Sequence, residues 1–501
     1  MSTPPAGPAT SAPSEPPRSP EPPGALTIDS REPVRFLGRE FEYKWVVTAV
    51  LVSALFLDIL DTTIVNVALP TLVSEFGESA TEWTVIGYTL SLAVFIPVSG
   101  WLSDRMGNKR IFMFAFGMFI VASALCALSQ SVGQLIAFRV LQGVGGGMLT
   151  PVGMAMLFRV FPPAERARVA VVMMVPAMAA PALGPIIGGV LVTHLSWRWI
   201  FTINIPIGLL ALAIGGTLLH EHREPTAGNF DLPGFLLSAI GFAGFVYGVS
   251  DGPRSGWTSP VVLITGLGGL AVIALMVVVE LRRSTPMLQL RLLQDRLFRQ
   301  TNLVSVMTTG SFMGIMFVIP LYLQSLRGMS AQESGLTTFP QAIGVAVASV
   351  IAGRVYLRIG PRRLIAAGLA GAAIAIGAFA FITLGTSLWV IRGLMFARGF
   401  CMGFAFVPMQ AASYATIAPA DNGRAASIFS TQRQVAVSVA VAVFATVLAT
   451  YVSYGAHGVI VNPDRALTGF HVTFMIAAGM AIVGSLVALM IKDSDAAGTM
   501  A

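Results

Sequence analysis

The stretch "GWLSDRMGNKR" at residues 100–110 returns 253 residues later as "GRVYLRIGPRR" at 353–363. Gly100, Arg105, Gly107, Lys109 and Arg110 align with Gly353, Arg358, Gly360, Arg362 and Arg363. Both copies are short basic turns between long apolar runs, so each reads as a hairpin that sends the chain back the way it came. A match at this separation points to two like units, and the runs between the copies decide how those units are related.

Those runs are abundant. Hydrophobic residues make up 55% of the 501 positions and charged residues 11%, against about 25% charged in an ordinary soluble domain. Apolar segments recur at 46–69, 83–102, 111–129, 134–157, 170–193, 201–219, 233–250, 260–280, 301–323, 335–355, 364–384, 388–411, 427–450 and 470–491. Each can span a hydrocarbon layer of about 30 Å at about 1.5 Å per residue. The fold class is therefore all-α, a polytopic membrane protein with 14 transmembrane helices. Eight spans separate the two basic turns, so the copies share one membrane orientation, and parallel repeats are a transporter architecture. A six-helix unit then leaves the seventh and eighth spans as an inserted pair. The expected organisation is a disordered Pro-rich tail (1–43), a six-helix bundle (44–220), an inserted helix pair with its linkers (221–298), a second six-helix bundle (299–492) and a short tail (493–501).

The first segment holds ten of the thirty prolines and has no apolar h-region, which argues against a cleaved signal and for an extended tail. Placing the N-terminus inside puts 23 of the 31 Lys and Arg on inner segments, four on outer loops, and Arg139, Arg392, Arg398 and Arg433 within spans. That bias sets both termini in the cytoplasm. It also assigns the net charge of +7 to topology and anionic lipid rather than to nucleic acid. Cys126 and Cys401 fall inside apolar spans and read as packing residues.

The first span, "LFLDILDTTIVNVALPTL" at 55–72, holds two aspartates. With Asp58 at 0° on a helical wheel, Asp61 falls at about 300°, Thr62 at about 40° and Asn66 at about 80°, one polar stripe on an otherwise apolar helix. An ionised aspartate at mid-span costs about 2.5–3.5 kcal/mol on insertion scales, so such residues face cavities and mark ion or proton pathways. Two carboxyls about one turn apart exchange protons as a coupled pair.

In order and spacing, "LDTTIVNVALP", "GWLSDRMGNKR", "RVLQGVGGGMLTP", "ALGPIIGG" and "SWRWIFTINIP" resemble the motifs of the major facilitator superfamily, specifically its fourteen-helix drug:proton antiporters of the EmrB/QacA type. The resemblance spans residues 44–491. Ala180, Asn108 and Leu357 (opposite Asp104) depart from the usual pattern. The resemblance implies proton coupling by Asp61, which falls at the signature position, with Asp58 beside it; which of the two carries the proton stays open. It implies that Arg139 assists proton release, against the alternative of a side chain that reaches to outer headgroups. It also implies that Asp104, with Gly100, Arg105, Gly107, Lys109 and Arg110, forms an inner gate, holding the outward-facing state against the start of the penultimate helix near 422–427. Gly184, Pro185, Gly188 and Gly189 form a bending and packing device associated with antiporters. Gln142 and its glycine neighbours favour close helix packing. Asn66, Gln142, Arg398, Arg433 and Gln434 are candidates for lining a cavity, with headgroup contact the alternative for the two arginines. "HEH" at 220–222 is a poor metal set, so no metal is expected.

The expected function is a proton-coupled exporter of hydrophobic or amphiphilic small molecules in the cell (inner) membrane, of multidrug-efflux type and relevant to antibiotic resistance. Its partners are a lipophilic substrate, protons and the bilayer, and a periplasmic adaptor where the cell has an outer membrane. No cofactor is expected, because no phosphate-binding glycine loop is followed by Lys-Ser/Thr. The rivals are the same fold exporting an endogenous metabolite, siderophore or lipid, an intramembrane enzyme, and a non-transporting sensor. Carboxyls clamped by a fixed basic neighbour with no route to water would remove the basis for exchange.

Overall fold

The computed structural model describes residues 33–36, 39–76, 78–162, 165–223, 230–283, 286–452 and 460–499. Within them fourteen helices are long and apolar enough to cross a membrane. They are α1 (Tyr43–Leu69), α2 (Trp83–Met106), α3 (Asn108–Leu128), α4 (Val132–Val160), α5 (Arg168–His194), α6 (Trp199–Leu218) and α7 (Leu232–Ser255), then α8 (Pro260–Arg282), α9 (Arg296–Leu326), α10 (Ala331–Ile359), α11 (Pro361–Phe381), α12 (Leu388–Ser413), α13 (Asn422–Tyr451) and α14 (Pro463–Ala488). Several start before the apolar runs that located them, because a helix begins at its cap rather than at the edge of the greasy stretch. Asn462 accepts from the Arg465 amide (3.0 Å) and opens α14, while Asp295 accepts from Phe298 N (2.7 Å) and opens α9.

The expected tail is shorter than 1–43 at its inner end. Strands β1 (Pro33–Phe36) and β2 (Arg39–Glu42) pair antiparallel, with Val34 opposite Phe41 and Arg35 opposite Glu40. An apolar pair and an opposite-charge pair across the strands favour that register. Residues 1–32 lie outside the described residues. At the other end, residues 493–499 form a short helix that docks, with Thr499 Oγ1 2.7 Å from Tyr356 Oη.

Helices α1–α6 pack as one group and α9–α14 as another, with matching neighbours eight helices apart: α2 on α4 and α10 on α12, α3 on α4 and α11 on α12. The groups meet where α2 and α4 touch α13 and where α5 touches α10 and α12. Helices α7 and α8 pack on each other and rest on α2 and α13 through α7. Apolar side chains of α8 such as Ile264 and Leu267 remain exposed, as a lipid-facing surface requires.

The repeated turn has the same construction twice. Gly107 (φ 106°) precedes α3 and Gly360 (φ 84°) precedes α11, a left-handed backbone that glycine adopts without strain. The first amides of α3, Lys109 N and Arg110 N, donate to Glu221 (3.1 and 3.2 Å), which follows α6. In α11, Arg362 N donates to Asp493 (2.9 Å), which follows α14.

Candidate functional site

Asp61 lies at the centre of a sealed polar cluster in the first bundle. Arg139 of α4 donates through Nη1 to Asp61 Oδ2 (2.5 Å) and to Gln142 Oε1 (2.7 Å), and through Nε to the Thr84 carbonyl of α2 (3.1 Å). Gln142 Nε2 donates to Asp61 Oδ1 (2.9 Å) and Ser123 Oγ (3.0 Å). Asn204 of α6 donates to the same two oxygens at 3.2 and 2.9 Å. Asp61 is 0% exposed and Arg139 1%, and the guanidinium rests 4.2 Å from the Tyr88 ring centroid. Every oxygen of this carboxylate is matched by donors, which is the condition for keeping an ion pair in low dielectric. Arg139 thus turns inward and does not reach toward headgroups.

Asp58 occupies different surroundings three residues earlier. It is half-buried, and its Oδ1 accepts from Tyr88 Oη (2.5 Å). The guanidinium in electrostatic reach that belongs to the other bundle is Arg433 of α13. Arg433 is exposed although it lies well inside its span, and Asn66, two turns along α1 from Asp58, is exposed as well. The polar stripe of α1 therefore divides into a sealed member, Asp61, and members on an accessible wall, Asp58 and Asn66. Gln434 is half-buried beside Arg433.

The turn at 100–110 meets the second bundle on the face where α1 begins and α14 ends, hereafter the terminal face. A Cβ on Gly100 would stand 2.8 Å from the Gly423 carbonyl oxygen, so the backbones of α2 and α13 touch directly. Asp104 lies over the first turn of α13, with Oδ1 3.0 Å from where a Gly423 Cβ would be and Oδ2 3.6 Å from Arg424 Nε. A helix N-terminus favours that carboxylate. One turn on, Ser427 Oγ donates to the Ile96 and Pro97 carbonyls (both 2.8 Å). A second tie crosses the same face: Arg166, before α5, donates to the Tyr414 carbonyl and stacks on Phe158. Burial pushes its guanidinium below the ordinary value. The terminal face is closed between the bundles. Arg105 and Arg110 are exposed, and Lys109 Nζ donates to the Gly216 carbonyl (2.8 Å).

The "GPIIGG" run forms a seam with two neighbours. A Cβ on Gly188 would stand 2.8 Å from Ile64 Cγ1, and Gly184 abuts Thr63, both on α1. On the other side, a Cβ on Gly335 of α10 would stand 3.1 Å from Pro185, and one on Gly189 would stand 3.9 Å from Gln332. Arg398 is fully buried and does not line an accessible cavity; it donates to Gln341 Oε1 and to the Phe312 carbonyl (2.6 Å). The "HEH" residues serve packing, with His220 stacked on Tyr43, Glu221 capping α3 and His222 against Arg159.

Sequence reasoning passed over Tyr88, Ser123, Thr84 and Asn204. Asn204 carried a usable signal, an amide inside the quoted "SWRWIFTINIP". The others are residue types that membrane helices accommodate by bonding to their own backbone or at interfaces.

The sequence profile described as Major Facilitator Superfamily matches residues 51–441 and 301–499. A multidrug resistance protein B homolog of Mycobacterium tuberculosis is 37% identical over 397 residues, covering 78% of this chain and 73% of that protein. The uncharacterized MFS-type transporter YhcA of Bacillus subtilis is 33% identical over 400 residues, covering 79% and 75%. Among solved structures, the human organic anion transporter TETRAN superposes with a TM-score of 0.62 at 17% identity, over 89% of this chain and 99% of that one. The doubled turn, the paired bundles and these matches agree: the chain is a membrane transporter that belongs to the Major Facilitator Superfamily.

Proposed function

We infer that this transporter exports hydrophobic or amphiphilic small molecules in exchange for protons, with Asp58 as the exchanging carboxyl. The observation that carries the reading is the placement of Asp58 on an accessible wall, hydrogen-bonded to Tyr88 in its own bundle and within reach of Arg433 in the other. A carboxyl whose counter-charge sits on the opposite bundle changes its electrostatic surroundings whenever the bundles move, and that change is what couples a proton to a conformational cycle. Asp61 then takes a supporting part: it is clamped by Arg139 and holds α1 to α4 and α6. Of the two aspartates of α1, Asp58 keeps accessible surface and Asp61 has none, which favours Asp58 as the carboxyl that exchanges.

The relative named for multidrug resistance supports the substrate class. The excess of Lys and Arg supports a cytoplasmic terminal face, so that the closed gate at Asp104 corresponds to access from outside. No cofactor enters this reading. The proton gradient alone supplies about 2.3 kcal/mol per charge per 100 mV. Everted vesicles made acid inside test it. Adding a lipophilic cation or an amphiphilic neutral drug should dissipate the gradient with the wild type and not with Asp58→Asn. Gradient dissipation that survives Asp58→Asn would overturn the assignment of the carrier, and a wild type that moves drugs without proton flux would overturn coupling itself.

A further inference from the structure

The inserted pair contains a buried acidic couple that the exchange mechanism leaves unused. Glu280, near the end of α8, is 1% exposed, and Asp231, the cap of α7, is 2% exposed. Each carboxyl has one committed oxygen. Asp231 Oδ1 accepts from Gly234 N (3.0 Å) and pairs with Arg283 (2.7 Å), and Glu280 Oε2 accepts from Leu288 N (3.3 Å). The remaining oxygens, Glu280 Oε1 and Asp231 Oδ2, have no hydrogen-bond partner among the described residues, and both crowd the point that a Cβ on Gly234 would occupy. Two buried carboxylate oxygens converging without a donor are stable together only if something positive lies between them.

A proton suits the site and a metal ion does not. Among the described residues, the charged groups facing the couple are each other and Arg283; Arg291, on the linker after α8, is turned to the Leu281 and Arg283 carbonyls. A cation of the calcium kind takes six to eight oxygens, and among the described residues no three acidic, histidine or cysteine side chains gather in a metal set. A guanidinium beside the site would also repel such an ion.

The couple is wired to the gate. The Leu288 amide bonds Glu280, and the next residue, Gln289, accepts from Arg424 Nη1 (2.8 Å). Arg424 is the residue that pairs with Asp104. Leu288 of this linker also lines an apolar cavity of about 390 Å³, bounded as well by Phe242, Met276, Val435 and Met480, so the linker and α13 have space in which to shift. We propose that Glu280 and Asp231 form a second proton site, a carboxyl–carboxylate pair in the inserted helices, whose protonated form holds the 287–289 linker and thereby keeps Arg424 on the closed gate.

The sign follows from the closed structure. With the proton in place the converging oxygens attract. Without it two anions repel across a buried gap, Glu280 releases Leu288, and the gate loosens. The proposal rests on the transporter reading for an alternating gate and is independent of Asp58 as the coupling carboxyl.

Two measurements on the full chain test it. Infrared difference spectra should show the carbonyl stretch of one protonated carboxyl that fades as the medium is made alkaline, is lost in Glu280→Gln or Asp231→Asn, and persists in Asp58→Asn. Spin labels at Met106→Cys and Leu357→Cys, both exposed at the terminal face, in a Cys126→Ser, Cys401→Ser background, should move apart with rising pH in the wild type and stay close in Glu280→Gln. Failure of Asp58→Asn in the vesicle assay with the band intact would leave this proposal standing and bear only on exchange. A wild type without the band at any pH, a band that both variants retain, or a label distance that responds to pH equally with and without Glu280 would overturn it. So would a band that appears only after cations are chelated, which would make the couple a cation site.

Discussion

Removing Arg139 leaves Asp61 as a buried carboxylate whose remaining donors among the described residues are the amides of Gln142 and Asn204. Arg139→Gln is therefore expected to lower stability by about 3–5 kcal/mol, the usual cost of breaking a buried ion pair on one side, read as a fall in the thermal midpoint of the purified protein. Arg139→Lys should recover little of it, since an ammonium cannot reach Asp61, Gln142 and the Thr84 carbonyl at once. At this scale the sequence was informative where burial is expensive. Asp58, Asp61 and Arg139 stand out from any apolar run because ionised groups there are costly. What the run does not contain is the rotation of α1 against α4 and α6. That rotation sets Asp61, the family-signature position, inside the sealed cluster and leaves Asp58 on the accessible wall.

Helix ends carry the next set of consequences. Gly107→Ala forces an L side chain into φ 106° and against Glu221, which sits over the start of α3. A cost of about 1–3 kcal/mol is expected, measurable as a lowered unfolding midpoint. Gly100→Ala acts differently, because its backbone is ordinary helix and the approach of Gly423, with Ser427 beside it, forbids a methyl. Its expected effect is a loosened gate at little cost in stability, seen as faster alkylation of a cysteine placed at Ser103, which is buried in the closed gate. Hydropathy alone located all fourteen helices, since a membrane span needs a fixed length of apolar chain. It misplaced starts such as those of α9 and α14, where the first turn is polar and a side-chain cap, invisible to hydropathy, decides.

For the whole molecule, the two bundles share a plan but differ in charge. Arg139 has its carboxylate, whereas Arg398, deep in α12, has only Gln341, the Phe312 carbonyl and the Phe312 ring, with no acidic partner among the described residues. A buried charge without a counter-ion costs stability. Arg398→Met should hold or raise the unfolding midpoint, the opposite of Arg139→Gln. A fall as large as that of Arg139→Gln would show that Arg398 is paired in solution. The parallel repeat announced the two-bundle plan in eleven residues, while this asymmetry lay beyond it: no local pattern shows which arginine will meet an acid contributed by a helix far away in the chain.

The caps on the repeated turns carry one more implication. Glu221 fastens α3 from just beyond α6, and Asp493 fastens α11 from just beyond α14, so the last stretch of each bundle clasps a helix of that same bundle. Each half supplies its own buckle. A gene split after Arg223 and expressed as two polypeptides should accordingly yield pieces that insert separately and co-purify as a working pair. Glu221→Ala should abolish that recovery in the split form while the intact chain, tethered through its insert, tolerates the same change.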